Sequence, residues 1–317
     1  MDLKTRYMGL PLDHPIVASS SPLSETLDGI RRLEDGGVAA VVASTLFEEQ
    51  CAPAHADGKA PGNGNIAFIS QPDDYFKLLQ RASDSVRIPV IASLNCVSQA
   101  GWVNYAKALE QAGASAIELN LFRLETSLDS NGQDVEEHYL DCLNLVKGNV
   151  SIPVAVKLSP FFSAMGTMAK RLDEAGADAL ILFNRYYMPD FNIESLSVTP
   201  ALNLSTATEI RLPLRWLALL HGKIQTSLAA STGVETSVEV IKYLLAGAGT
   251  VMTTSTLLRK GPAHTSHLIN GLTGWMERHE FNSIGEMRGL LSHIKASDRL
   301  PFEQVNYLHS MESYGQR

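Results

Sequence analysis

Leu109-Glu110-Gln111-Ala112-Gly113-Ala114-Ser115-Ala116-Ile117-Glu118-Leu119-Asn120-Leu121 decides the fold of this chain. It runs from the end of an amphipathic segment through a small-residue stop into a short apolar run. A glycine just past the last helical turn caps the helix and swings the chain into a strand. The run that follows is too apolar for simple alternation, as expected of a parallel strand covered on both faces.

Working outward, the same pattern recurs. Leu33-Glu34-Asp35-Gly36-Gly37-Val38 leads into AAVVAST, Leu172-Asp173-Glu174-Ala175-Gly176-Ala177 into DALILFN, and Leu244-Leu245-Ala246-Gly247-Ala248 into GTVMTTS. Two further strands open on Ile-Pro, Ile88 to Ser93 and Ile152 to Lys157, where proline at the first position costs no ladder bond. Ile224 to Ala229 and Pro15 to Ser19 complete the set. Roughly eight strands alternating with helices predict an α/β fold, a single (β/α)8 TIM barrel, rather than a doubly wound sheet.

Residues 1–317 are therefore read as one domain, a size that single barrels reach. Two stretches break the alternation and predict long loops over the C-terminal face. One spans about residues 46–75, with Pro53, Gly58, Pro61, Gly62 and Gly64 at its centre, and the other spans 185–212. Loops of this length in a compact domain commonly cover a site. Gly62-Asn63-Gly64 does not lie between a strand and a helix, which argues against a phosphate fingerprint there.

Composition narrows the function classes. The chain has 45% hydrophobic and 19% charged residues, excluding a disordered chain or a collagen. A net charge of -8, with no Lys/Arg cluster, argues against a nucleic-acid surface. The longest apolar run, Val38 to Ala43, is far below a membrane span, and Met1-Asp2-Leu3-Lys4 lacks a signal-peptide core, so a cytoplasmic location is expected. Cys51, Cys96 and Cys142 provide neither a disulfide framework nor a four-thiolate cluster, and no metal site is expected.

In a barrel the chemistry lies where the strands end. The polar residues closing the apolar runs are Ser19-Ser20-Ser21, Ser44-Thr45, Ser93 and Asn95, Glu118 and Asn120, Lys157 and Ser159, Asn184, Ser231-Thr232-Gly233 and Thr253-Thr254-Ser255. Lys157 is the sharpest signal, because lysine is almost never buried without a partner. It would stabilise an anion, form an imine as in Schiff-base aldolases, or simply pair with Glu118 of the preceding strand. The Ser231–Val234 and Thr254–Ser255 loops fall where barrels bind phosphate, although the same hydroxyls could merely cap the next helices. His264 and His267 read as a solvated helix face, and Trp102, Trp216 and Trp275 as packing.

These residues resemble the flavin-dependent dihydroorotate dehydrogenase family, particularly its soluble class 1 members and a divergent dihydroorotate dehydrogenase-like group. PIVASSSPLS, AIELNL, VAVKLSP and STGVETSVEVIKYLLAGAGTVMTTSTLLRKGP carry the similarity, which covers nearly the whole chain. The resemblance implies an FMN-binding barrel acting on CH–CH groups, with a place in pyrimidine biosynthesis and a possible homodimer. Carried over, Ser20, Ser44, Asn120, Lys157 and Asn184 would hold the flavin, and Thr232, Gly233, Thr254 and Ser255 its phosphate. The Lys157 ammonium would favour the negative charge of the reduced ring.

The chain departs from the family at three places. The family's Cys or Ser base loop reads here Asn120-Leu121-Phe122-Arg123-Leu124-Glu125, and arginine stays protonated and cannot accept a proton. Ser44 stands where the family has a lysine, and its Asn-rich pyrimidine-binding loop is not recognisable in residues 60–70. The catalytic set implied is Lys157 with Ser127 or Glu125 as base and Thr126 beside them. Asn95 and Arg123 face a small anionic substrate, and Arg185 and Arg215 are further clamp candidates. The expected activity is hydride transfer from that substrate, with dihydroorotate the named possibility, and onward to a soluble acceptor or an electron-acceptor partner. The alternatives are a Schiff-base lyase on Lys157 and a flavin-binding protein without catalysis.

Overall fold

The computed structural model describes residues 1–47, 72–95, 99–121, 125–186, 188–199 and 202–297, with 302 and 311–312. The strands are β1 (Thr5–Tyr7), β2 (Leu10–Leu12), β3 (Ile16–Ala18), β4 (Val41–Phe47), β5 (Val90–Asn95), β6 (Ala116–Asn120), β7 (Val154–Leu158), β8 (Ala179–Leu182), β9 (Asp190–Asn192), β10 (Ser197–Thr199), β11 (Ser227–Ala230) and β12 (Thr250–Thr253). Eight of them, β3 to β8 with β11 and β12, close into a parallel barrel in sequence order. The helices are α1 (Leu27–Asp35), α2 (Pro72–Ser85), α3 (Gln99–Gln111), α4 (Gly132–Lys147), α5 (Met165–Glu174), α6 (Arg211–Leu220), α7 (Ser237–Ala246), α8 (Ser255–Lys260), α9 (Thr265–Arg278) and α10 (Ile284–Met287). The (β/α)8 reading is correct.

The recurring pattern works as its chemistry dictates. Gly37, Gly113, Gly176 and Gly247 have φ of +88°, +86°, +85° and +122°, conformations that a side chain resists. The leucines of the four copies, Leu33, Leu109, Leu172 and Leu244, are fully buried between helix and strand. The acid after the leucine has a role that the periodicity does not reveal. Glu34 accepts from the Arg87 N–H (2.6 Å), Glu110 from the Ser151 N–H (2.8 Å) and Asp173 from the Thr226 N–H (2.8 Å). Each helix thus fastens the loop that leads into a later strand.

Inside the barrel the lower positions of four strands are small: Ala116, Ala155, Ala179 and Ala229. The space they leave is filled by Tyr7, Met8 and Leu12 of an N-terminal β1–β2 hairpin, which closes the end opposite the strand C-termini. The sequence reading did not find this hairpin, whose strands are only three residues long.

Three loop and strand boundaries need correction. Strand β4 runs to Phe47 and helix α2 begins at Pro72, so the first long loop is shorter than 46–75, and residues 48–71 lie outside the described residues. The 185–212 stretch is not structureless. It carries the exposed β9–β10 hairpin and a 3-10 turn over Ala207–Ile210, and α6 begins at Arg211. The seventh barrel strand starts at Ser227, three residues later than Ile224, because Thr226 is held by Asp173. Among the described residues no helix is long and apolar enough to cross a membrane, and no group of three His, Cys, Asp or Glu is placed to hold a metal.

Candidate functional site

Alternation along β6 turns Ala116, Glu118 and Asn120 into the barrel, and along β7 it does the same for Ala155 and Lys157. Asn120 and Lys157 are paired in register. The Lys157 Nζ lies 3.3 Å from Glu118 Oε1 and 3.3 Å from Ser19 Oγ, at the heart of the barrel. Among the described residues Glu118 Oε2 has no partner. The same carboxylate, after burial itself, pushes the Tyr7 phenol further up, so that hydroxyl stays protonated beneath the pair. Of the two expectations for Lys157, an ion pair with Glu118 or a ligand-facing role, the structure shows the ion pair. Lys157 pairs with Glu118 and also lines a cleft.

Above this pair, a polar layer spans the strand ends. Thr45 Oγ1 accepts from Asn120 Nδ2 at 3.0 Å and shares hydrogen bonds with Ser93 Oγ (2.9 Å) and Ser20 Oγ (3.1 Å). Asn184 Nδ2 donates to Asn120 Oδ1 at 2.6 Å, and the Arg185 N–H fixes the Asn184 amide from the other side. Thr45 reaches the centre because β4 has a register shift between Val42 and Thr45. Such a bulge re-aims the side chains beyond it. Plain alternation from Val42 turns Ser44 inward; instead Ser44 is buried with its Oγ unpartnered, and Thr45 faces Ser93. Asn95 is buried at the end of β5, opposite Phe47.

The cleft that opens here has a volume of about 250 Å3 and brings together Ser20, Lys157, Asn184, Thr232, Gly233, Thr254 and Ser255. The seven come from five strand ends that the sequence had set apart by their polarity. Among the described residues its lining holds Lys157 and Arg185 but no carboxylate. At one end Thr232 and Gly233, both in the cleft lining, have φ of +82° and +73° in succession. Gly233 N–H donates to Ser205 Oγ (3.1 Å), and Ser205 Oγ meets Ser255 Oγ at 2.9 Å. Ser205 belongs to the 202–206 loop, and nothing in its local sequence singled it out. Arg185 is tied to this loop through the Asn203 carbonyl and to the 3-10 turn after it through Glu209 (2.9 Å).

The proposed bases do not join this group. Glu125 lines a separate cavity beside Val135, Tyr139 and Phe161, its carboxylate accepting from the Ser127 N–H at 2.9 Å. Ser127 is exposed, and its Oγ accepts from the Asp129 N–H. Arg123 lies outside the described residues, as do Cys51, Cys96 and residues 60–70. Arg215 donates to the Phe302 carbonyl and does not line the cleft. Burial pushes the Cys142 thiol up to about 12, which makes it an inert packing group.

The cleft fits FMN in its donor set. A dianionic phosphate needs hydrogen-bond donors without opposing carboxylates, and the hydroxyls of Ser205, Thr232, Thr254 and Ser255 line the cleft with no carboxylate beside them among the described residues. A ring that gains negative charge on reduction needs a cation at the other end of the cleft, where Lys157 stands.

Fold and cleft together define a class: a (β/α)8-barrel protein with a cationic, hydroxyl-lined cleft at the C-terminal ends of its strands. The sequence profile of the dihydroorotate dehydrogenase family matches residues 69–276. The chain belongs to the dihydroorotate dehydrogenase family, whose members are flavin-dependent oxidoreductases acting on CH–CH groups. The catalytic subunit of dihydroorotate dehydrogenase B (NAD(+)) from Thermoplasma acidophilum is 26% identical over 303 residues, covering 91% of this chain and 98% of that protein. A putative dihydroorotate dehydrogenase A (fumarate) from Aeropyrum pernix is 26% identical over 300 residues, covering 91% and 97%. The NAD-dependent dihydropyrimidine dehydrogenase subunit PreA of Escherichia coli is 22% identical over 317 residues, covering 92% and 77%.

Proposed function

We propose that this chain is an FMN-dependent oxidoreductase that takes hydride from a small anionic substrate, with dihydroorotate the first compound to try. The observation that supports this most is the cleft itself, which has an ammonium at one end, the hydroxyls of Ser205, Thr232, Thr254 and Ser255 at the other and, among the described residues, no carboxylate in its lining. When bound, FMN supplies a two-electron acceptor for hydride. Its phosphate falls to Thr232, Gly233, Thr254 and Ser255, and its ring to Ser20, Asn120, Lys157 and Asn184.

The chain's own groups then have definite tasks. Lys157, fixed by Glu118 and Ser19, holds positive charge where anionic character develops. The Thr45 hydroxyl locks the Asn120 amide, and Asn120 locks Asn184, so both amides are oriented before a ligand arrives. Asn95 and Arg123 are assigned to the substrate side. Glu125 or Ser127 serves as the proton acceptor, which requires the loop after Asn120 to carry one of them from its present position to the cleft.

The imine reading loses support at Lys157, because an ammonium paired with a carboxylate has no lone pair for attack on a carbonyl. The relatives' names carry two acceptors, NAD(+) and fumarate. For this chain we assign electron exit to a soluble acceptor or a partner subunit in the cytoplasm, with a homodimer as the assembly and pyrimidine biosynthesis as the setting. Anaerobic mixing of the FMN-loaded protein with dihydroorotate tests the substrate. Bleaching of the oxidised-flavin bands within seconds supports it, and a rate no faster than free FMN across a panel of dihydropyrimidines refutes catalysis.

A further inference from the structure

At the opposite end of the barrel from Lys157, a second cavity of about 540 Å3 opens between the β1–β2 hairpin and α10. Three cationic side chains line it, Lys4, Arg6 and Arg288, against one carboxylate, Asp13. Among the described residues none of the three cations takes part in an ion pair. Arg6 Nη1 donates to the Gly9 carbonyl at 3.3 Å, and the Lys4 main-chain N–H, not its ammonium, meets Asp2.

Arg288 is the exceptional member. It is half-buried, its Nε is sealed from solvent with no partner, and desolvation pulls its pKa down from the usual guanidinium value. A half-buried guanidinium with no counterion among the described residues is poorly compensated, and an anion in the cavity would offset that cost. The surroundings admit it deliberately. A Cβ on Gly249 would stand 3.3 Å from Arg288 Nη1, so the glycine before β12 gives the guanidinium its room. Thr5, beside it in the cavity wall, spends its hydroxyl on the Gly249 carbonyl and fixes the floor.

We infer that this cavity is a binding site for a compact phosphate-bearing anion, with Arg288 as the central donor and Lys4 and Arg6 at its rim. The planar fork of arginine matches two phosphate oxygens, and the excess of cations over Asp13 favours a dianion over a single carboxylate. The site is separate from the Lys157 cleft, which lies at the strands' C-terminal ends; only its test rests on the proposed FMN site.

The test uses the full chain with excess FMN, so that any phosphate subsite in the cleft is filled. Melting is followed in inorganic phosphate or pyrophosphate against chloride at equal ionic strength, with flavin release monitored. A ligand that binds only the folded state raises Tm in proportion to its occupancy. The expected result is a Tm rise with no flavin released, and an affinity weakened about tenfold or more in Arg288→Met, since a charge-assisted bond is lost. Lys4→Met/Arg6→Met, at two exposed positions, should weaken it too and decides the matter if Arg288→Met does not fold. The inference is overturned if the wild type shows no phosphate response, if the response persists unchanged in the variants, or if it accompanies loss of flavin.

Discussion

Lys157 Nζ and Glu118 Oε1, from neighbouring barrel strands, meet at 3.3 Å with their side chains only 9% and 1% exposed. Two charges withdrawn so fully from water are tolerable only together, and breaking such a pair from one side costs about 3–5 kcal/mol. Lys157→Met should therefore destabilise the protein by about that amount, because Glu118 is left buried and alone. The double variant Lys157→Met/Glu118→Leu should recover most of the loss, since an apolar replacement of the whole pair is tolerated. Urea unfolding of the three proteins checks this. A double variant no more stable than Lys157→Met contradicts the pairing.

The bulge in β4 yields a contrast between adjacent residues. Thr45→Val removes the oxygen that serves Ser20, Ser93 and Asn120, so about 1–3 kcal/mol of stability and much of the FMN affinity should go with it. Ser44→Ala removes a buried hydroxyl that has no partner and should be neutral or slightly stabilising. Denaturation and FMN titration of the pair decide the point, and the reverse ranking would mean that Ser44 is the inward residue.

Much of the fold was readable because the barrel repeats its grammar. A leucine that packs, an acid, and a glycine that must turn left-handed recur before AIELN and ALIL alike, and both became strands. The hairpin Thr5–Leu12 was hidden because three-residue strands carry no period, and its Tyr7 is fixed by the space four distant alanines leave. The residues that line the cleft at the strand ends were legible from polarity alone, down to Lys157. The Ser44 and Thr45 positions were not, because a bulge is a property of two paired strands rather than of either one. Ser205 comes to Gly233 through a tertiary fold of the 202–206 loop, which leaves no local trace in the sequence.

Gly233 gives a steric prediction. A Cβ there would fall 2.7 Å from Ile210 Cγ2 and 2.8 Å from the Thr206 carbonyl oxygen, and φ is +73°. Gly233→Ala should cost more than about 1 kcal/mol and misplace the N–H groups of the turn. Its FMN affinity should drop more than that of Gly132→Ala, where nothing lies within 4 Å. Equal affinities would remove this turn from the phosphate site.

Glu110 gives a pH prediction. Its hydrogen bonds from the Ser151 hydroxyl, the Ser151 N–H and the Ile152 N–H hold its carboxyl below the usual carboxylate range. A depressed carboxylate stabilises the fold at neutral pH, and the contribution fades as pH falls below the unfolded value and through the folded one. Glu110→Gln should therefore be less stable than wild type at pH 7 and converge with it in acid. The gap should be small, about 1 kcal/mol or less, because the group faces solvent. Parallel melts across pH 7 to 3 measure it, and a gap that widens toward acid contradicts the assignment.

On the proposed reading, the cleft between Lys157 and Gly233 holds FMN. The most direct measurement is the visible spectrum of the purified protein titrated with FMN, followed by identification of the flavin released on denaturation. One FMN per chain, with oxidised-flavin bands perturbed from those of free FMN and affinity sharply reduced in Gly233→Ala, is the predicted result. A colourless protein whose addition leaves the FMN spectrum and fluorescence unchanged would contradict it.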